Sequence, residues 1–317
     1  MSFSLFDNGR VSDAPSANWV YRALPRGLWG FAQLARWDRP IGWQLLMWPC
    51  FWSAALAAGA AAATGQFSFS RFAWHLFLFF AGAVAMRGAG CTYNDLVDHE
   101  IDMAVARTRS RPLPSGRVTR LQAKVFMVLQ ALVGLLVLLS FNWFAVVLGI
   151  LSLAIVAIYP FAKRFTDWPQ FFLGLAFSWG ALMGWATEFG TLSFAAVALY
   201  IGAVAWTIGY DTIYAHQDKE DDALIGVRST ALLFGRNTKA WLVLFYGLMV
   251  VFFALSLMAA GAAWPAWIGL LIAAVLFGWQ ILVLDMHDGA QCLELFKSNH
   301  QVGAVLFFGL VFAIPFA

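Results

Sequence analysis

The sequence predicts an all-α protein that crosses a membrane nine times. Three observations carry that reading. Of 317 residues, 62% are apolar and 12% charged, roughly half the charge of an ordinary soluble domain. The apolar residues gather into runs close to the roughly 20 residues a helix needs to span the hydrocarbon core. The runs are continuous, whereas a membrane barrel shows alternating segments of about ten residues.

Residues 1–35 are polar and mixed, with no secretory signal pattern ahead of the first span, and read as an extension. Residues 19–31 within it form an amphipathic surface segment, and residues 36–317 form one transmembrane domain. The spans fall at about 41–63, 72–90, 122–140, 142–160, 169–187, 191–210, 240–260, 264–284 and 301–317. Each is rich in Leu, Ala and Phe with scattered Gly. Helices follow because lipid offers backbone groups no partner.

The links alternate in character. Those at 1–40, 91–121, 161–168, 211–239 and 285–300 are long and polar; those at 64–71, 141, 188–190 and 261–263 are short and nearly uncharged. Of 20 Lys and Arg, only Arg71 falls among the short links. The positive-inside rule therefore puts the long links and the amino terminus in the cytoplasm. An odd number of spans then puts the carboxyl terminus outside. Most of the 16 Trp and 7 Tyr read as interfacial anchors or packing. A net charge of +3 is too small to argue for nucleic acid. Cys50, Cys91 and Cys292 have neither disulfide-framework nor zinc spacing.

Of 17 Asp and Glu, only Glu188 lies among the short links. The positive-inside rule says nothing about acids, so their clustering needs another cause. The first cluster runs Asn94-Asp95-Leu-Val-Asp98-His-Glu-Ile-Asp102. Positions 94, 98 and 102 are four apart and stack on one helical face. Asp95 lies roughly 100° from that line. Like charges at this spacing repel, and keeping them together points to a shared cation. The second cluster runs Tyr210-Asp211-Thr-Ile-Tyr214-Ala-His216-Gln-Asp218-Lys-Glu220-Asp221-Asp222. Asp211, Asp218 and Asp222 form one stripe if the helix continues, and Glu220 points away. His99 and His216 read as loop or interface residues.

Oxygen-only donors favour a hard cation such as Mg2+, which binds through one or two carboxylates plus substrate phosphates. Two clusters on one predicted side could hold a diphosphate between them. Arg107, Arg109, Arg111, Lys163, Arg164, Lys219 and Arg228 stand near enough in sequence to supply charge to phosphate oxygens. The arginines from 107 to 120 serve equally as the topology signal.

At these residues the chain resembles the UbiA family of intramembrane aromatic prenyltransferases, over about residues 36–312. The resemblance rests on Asn94-Asp95-x-x-Asp98-x-x-x-Asp102 followed by Arg107-Thr108-x-x-Arg111-Pro112-Leu113-Pro114-Ser115-Gly116. It rests also on Tyr210-Asp211-x-x-Tyr214-Ala-x-x-Asp218-x-x-Asp221-Asp222 followed by Ile225-Gly226-Val227-Arg228-Ser229-Thr230. Lesser matches are Tyr159-Pro160-Phe161-Ala-Lys163-Arg164-Phe165-Thr166 and Cys292-x-x-x-Phe296-x-Ser298-Asn299. These flanks are similar to the branch that acts on 4-hydroxybenzoate in ubiquinone synthesis. The first 30 residues match nothing in the family.

The resemblance implies nine helices around a central cavity, both acidic motifs on the cytoplasmic side, and Mg2+-dependent transfer of a polyprenyl chain from its diphosphate to the aromatic ring. It implies that Asn94, Asp98, Asp102, Asp218 and Asp222 hold the Mg2+ and diphosphate, and that these acids with Arg164 carry the catalysis. Asn94, Arg107, Arg111, Lys163, Arg164, Asp211 and Tyr214 are then the substrate-binding set, with Arg164 facing either the benzoate carboxylate or the diphosphate. Asp211 or Asp218 could take a proton. Phe79, Phe80, Phe171 and Phe172 suit the wall around an isoprenoid tail in the bilayer.

Two other readings remain open on the residues. One keeps the fold and changes the acceptor to homogentisate, dihydroxynaphthoate or a tetrapyrrole. The other is a cation-coupled transporter, although transporter charges sit near the bilayer midplane and these acids cluster at one membrane end. The lack of an Arg- and Ser-rich transit segment leads to the expectation of a bacterial inner membrane.

Overall fold

The computed structural model describes residues 9–12, 14, 15, 17–104, 108–219, 223, 224 and 226–317, leaving the side chains of Ile101, Ala104 and Asp218 outside that description. Among the described residues every regular element is helical. The helices are α1 (Trp19–Ala23), α2 (Arg26–Leu34), α3 (Ile41–Ala63), α4 (Phe69–Val97), α5 (His99–Ala104), α6 (Arg120–Leu139) and α7 (Trp143–Phe165). They continue as α8 (Pro169–Phe177), α9 (Gly180–Phe189), α10 (Phe194–Ala215), α11 (Thr230–Phe234), α12 (Thr238–Ala260), α13 (Trp264–Val283) and α14 (Gly289–Ala313).

Eight helical stretches among the described residues are long and apolar enough to cross a membrane, α11 and α12 counting as one. Nine runs were expected, and the difference lies at 169–187. That run forms two short helices, α8 and α9, rather than one. Ser178 and Trp179 accept from the backbone nitrogens of Ala181 and Leu182, three residues on, at 2.8 and 3.0 Å. The buried Ser178 hydroxyl lies 3.3 Å from that of Thr207 on α10, and Trp179 Nε1 donates to Leu148 O on α7 at 3.0 Å. These contacts with α10 and α7 hold the chain where the helix is interrupted without proline, and hydropathy cannot register them.

Two compact units emerge, one made of Met1–Gln44 with Phe80–Val137 and the other of Leu45–Phe79 with Leu138–Ala317. In the first unit the amino-terminal segment is built into a core. Leu34, Leu113, Val118 and Ala123 are buried together, with Phe31, Leu96 and Phe126 against them. Val20, Trp29 and Ala32 form a second cluster with Tyr21, Leu24 and Trp37. Arg117 staples these parts, donating to Gly9 O, Gln33 Oε1 and Ser110 O.

The second unit packs around Trp52, Trp206, Tyr210 and Phe253, all fully buried. Buried indole N–H groups need acceptors; Trp52 finds Gly303 O and Trp206 finds Asn299 Oδ1, each at 2.8 Å. Arg71 and Glu188, the one basic and the one acidic residue of the short links, meet each other at 2.5 Å. Helix α9 crosses α3 so closely that a Cβ on Gly184 would collide with the Ala54 backbone nitrogen and with Ser53. Backbone cannot yield as a side chain can. Gly184→Ala is expected to cost about 1–3 kcal/mol, read as a lower melting temperature of the detergent-solubilised protein. An unchanged melt would mean that this crossing is not tightly packed.

Candidate functional site

The first acidic segment lies in the first unit. Helix α4 runs to Val97, past the expected end at residue 90, so Asn94 and Asp95 ride on the membrane-length helix itself. The helix is interrupted at Asp98, yet the four-residue repeat carries through. Asp98 N donates to Asn94 O and Asp102 N to Asp98 O, both at 2.8 Å. Positions 94, 98 and 102 therefore stack as their spacing demands. Asn94 Nδ2 donates to Asp98 Oδ2 at 3.1 Å, and Asp98 and Asp102 are 1% and 5% exposed.

Asp95 faces elsewhere. It is fully buried, and its Oδ1 accepts from Arg36 Nη2 at 2.6 Å. Arg111 Nη1 donates to both Asp102 oxygens at 3.1 Å and lies 3.6 Å from Asp95 Oδ1. The turns after α5 deliver Arg111 there: Thr108 Oγ1 donates to Asp102 O, and Arg111 N donates to Thr108 O. Burial pushes the Asp102 carboxyl above its ordinary 3.8; Arg111 opposes that rise, while Asp95 and Asp98 add to it. Arg107 lies outside the described residues.

The second acidic segment lies in the second unit. Helix α10 ends at Ala215, and His216–Asp218 form a single 3-10 turn. The stripe Asp211–Asp218–Asp222 presumed a continuing α-helix; the described part of that stretch is a 3-10 turn, and the Asp222 end of the stripe lies outside the described residues. His216 explains the stop: its Nε2 pairs with Thr238 Oγ1 at 3.1 Å. Burial, with help from Lys219 and His287, lowers its pKa to about 4 and leaves it neutral. Asp211 is half-buried; Asp222, like the Asp218 side chain, lies outside the described residues. The Tyr214 ring packs on Phe296 at 4.6 Å, and Asn299 takes the Trp206 indole. The Phe296 and Asn299 motif thus packs against the aromatic face of α10.

Lys163 and Arg164 occupy the last turn of α7, where cations suit the helix dipole. Arg164 is exposed, its guanidinium 5.4 Å over the Phe161 ring. Arg228 N donates to Lys163 O at 3.2 Å. Thr230 N donates to Gln170 Oε1 at 3.0 Å, and the Thr230 and Thr212 hydroxyls meet at 2.7 Å. These bonds gather the end of α7, the start of α8 and the end of α10. Lys163 and Arg164 therefore share one end of the second unit with Asp211 and Tyr214.

The donor chemistry fits a hard cation, because the stacked side chains of Asn94, Asp98 and Asp102 can offer oxygen, and beside them Asp95 Oδ2 is buried with no hydrogen-bond partner. Among the described residues no three His, Cys, Asp or Glu side chains form a metal-holding group. Residues missed from sequence were Arg36 and the pair Thr212 and Thr230. Arg36 stands in an Arg36-Trp-Asp38-Arg39 run before the first span, which reads as topology charge alone.

Residues 46–311 match the model of the UbiA prenyltransferase family. The chain belongs to this family. A relative from Arabidopsis thaliana described as "4-hydroxybenzoate polyprenyltransferase, mitochondrial" is 48% identical over 95% of this chain and 72% of its own length. Among solved structures, an apo UbiA homologue from Aeropyrum pernix K1 superposes with a TM-score of 0.67 at 25% identity, over 83% of this chain and 97% of that one. A UbiA homologue from Archaeoglobus fulgidus, bound to GPP and Mg2+, has the same fold at a TM-score of 0.61 and 17% identity, over 91% and 100% of the two chains.

The relatives overturn the expectation of a bacterial inner membrane. Relatives from plant, insect, nematode and mammal alike are described as mitochondrial. Charge bias bears on orientation and not on which membrane holds the chain, and a missing transit pattern is an argument from absence.

Proposed function

We propose that this protein transfers a polyprenyl chain from its diphosphate to the ring carbon of 4-hydroxybenzoate ortho to the hydroxyl, an early step of ubiquinone biosynthesis. The observation that carries the reading is the 48% identity over 95% of the chain to a 4-hydroxybenzoate polyprenyltransferase.

Asn94, Asp98, Asp102, Asp218 and Asp222 would hold Mg2+, with the oxygen-only donor set as support. Bound there, the metal supplies fixed positive charge to the diphosphate leaving group. The other steps belong to the chain. Lys163 and Arg164 lend charge to the acceptor carboxylate or to phosphate oxygens, and Arg107 and Arg111 do the same. Apolar helices keep water from the allylic cation left when the C–O bond breaks. The ring carbon forms the new C–C bond, and Asp211 or Asp218 takes a proton at a carboxylate oxygen. The reading includes nine crossings, with α8 and α9 together making one, and a cytoplasmic amino terminus. The lopsided distribution of Lys and Arg supports it.

The decisive experiment mixes purified protein with a polyprenyl diphosphate and 4-hydroxybenzoate, homogentisate or dihydroxynaphthoate, with Mg2+ or with EDTA, and weighs the products. Prenylated 4-hydroxybenzoate is expected with Mg2+ alone. A product from another acceptor and none from 4-hydroxybenzoate would discard the assignment. Arg164→Ala is expected to lower kcat/KM for 4-hydroxybenzoate about tenfold, roughly the worth of one charge-assisted hydrogen bond. Unchanged kinetics for both substrates would remove Arg164 from the site.

A further inference from the structure

We infer that Arg36 is a positioning residue for the first acidic segment: its guanidinium holds Asp95 and so leaves Arg111 to fix Asp102. The inference rests on the reading of Asn94, Asp98 and Asp102 as a cation-holding face.

The argument begins at the end of α2. Trp37 N donates to Ala32 O and Arg36 N to Gln33 O, at 2.9 and 3.1 Å. This is the paired bonding of a Schellman cap, whose left-handed position is ordinarily glycine. Here it is Arg36, at φ +57°, the one non-glycine residue with positive φ among those described. An L-residue in that region is strained, so what keeps arginine there is its side chain. The left-handed turn carries that side chain inward, where it is 10% exposed. Nη1 donates to the Gln33 carbonyl at 2.7 Å and Nη2 to Asp95 at 2.6 Å.

The charge balance gives this contact its consequence. Three buried acids, Asp95, Asp98 and Asp102, share the segment with Arg36 and Arg111. With Arg36 on Asp95, Arg111 grips both oxygens of Asp102. Remove Arg36, and a fully buried carboxylate has Arg111 only 3.6 Å away. Arg111 is then divided between the two acids, and Asp102 loses its fixed orientation. Outer groups that orient metal ligands are typically worth about 10- to 100-fold in metal affinity.

The test measures Mn2+ binding to the purified, metal-free protein by the loss of the free-ion EPR signal, without substrates. Arg36→Gly is the informative variant, since glycine accepts the left-handed cap and removes only the side chain. It is expected to weaken Mn2+ binding at least tenfold. The double variant Arg36→Gly with Asp95→Asn, which removes the stranded charge as well, is expected to return within threefold of the wild type. A lesion of general structure would not be repaired that way. Should Arg36→Gly fail to purify folded, Arg36→Gln, which removes the charge but keeps a polar side chain for the Gln33 carbonyl, takes its place with the same ordering. Wild-type binding by the single variant, or a double variant no better than the single, overturns the inference. Asp98→Asn runs beside them: if it too binds Mn2+ normally, the metal reading beneath the inference has failed instead.

Discussion

Asp98→Asn is expected to lower prenyl transfer by at least about 10²- to 10³-fold, the range for removing one preorganised group that stabilises transition-state charge. The substitution is nearly isosteric. It keeps the Asn94 contact within reach and leaves the backbone bonds from Asn94 to Asp98 and from Asp98 to Asp102 untouched. Folding, membrane insertion and melting temperature are therefore expected to stay near those of the wild type. What changes is charge: one of three buried carboxylates on the segment becomes neutral, and the hard-cation donor set loses an anionic oxygen. Asp218→Asn is expected to act likewise from the second segment. Turnover with radiolabelled 4-hydroxybenzoate in detergent measures both, and near-normal rates in either variant would discard the metal assignment for that residue.

How much of this was legible in the sequence depends on what kind of information each feature carries. Stacking of positions 94, 98 and 102 follows from the helical repeat, which is local, and it holds through the irregularity at Asp98. The membrane-length helices follow from length and apolarity, again local. The break of the 169–187 run is not local: it depends on Thr207 and on the Leu148 carbonyl, both on other helices. The end of α10 at Ala215 likewise depends on Thr238, a partner 22 positions from His216. Arg36 hides for a different reason. Its sequence context looks like a topology signal, and only the positive φ and the reach to Asp95 separate it from its neighbours. Arg111 is similar, since its pairing with Asp102 depends on the fold of the turns between them. The motif tells which residues share a helical face, and tertiary bonding tells what each one meets.

Arg111→Gln tests that distinction through stability rather than turnover. Arg111 is largely buried, with 14% of its side chain exposed, and bonds both oxygens of Asp102. Taking one partner from a buried pair leaves an uncompensated buried charge, which costs about 3–5 kcal/mol. Burial already disfavours ionised Asp102, and Arg111 is the first of the groups that oppose this. The variant should therefore melt well below the wild type. Adding Asp102→Asn removes the stranded charge and should recover most of the loss, because deleting both members of a buried pair is far milder than deleting one. Thermal melts of the two variants and the wild type in one detergent decide the matter. If Arg111→Gln melts like the wild type, the contact with Asp102 is not a compensating ion pair. If the double variant is no more stable than the single, the damage lies in the turns that follow α5 and not in the charge.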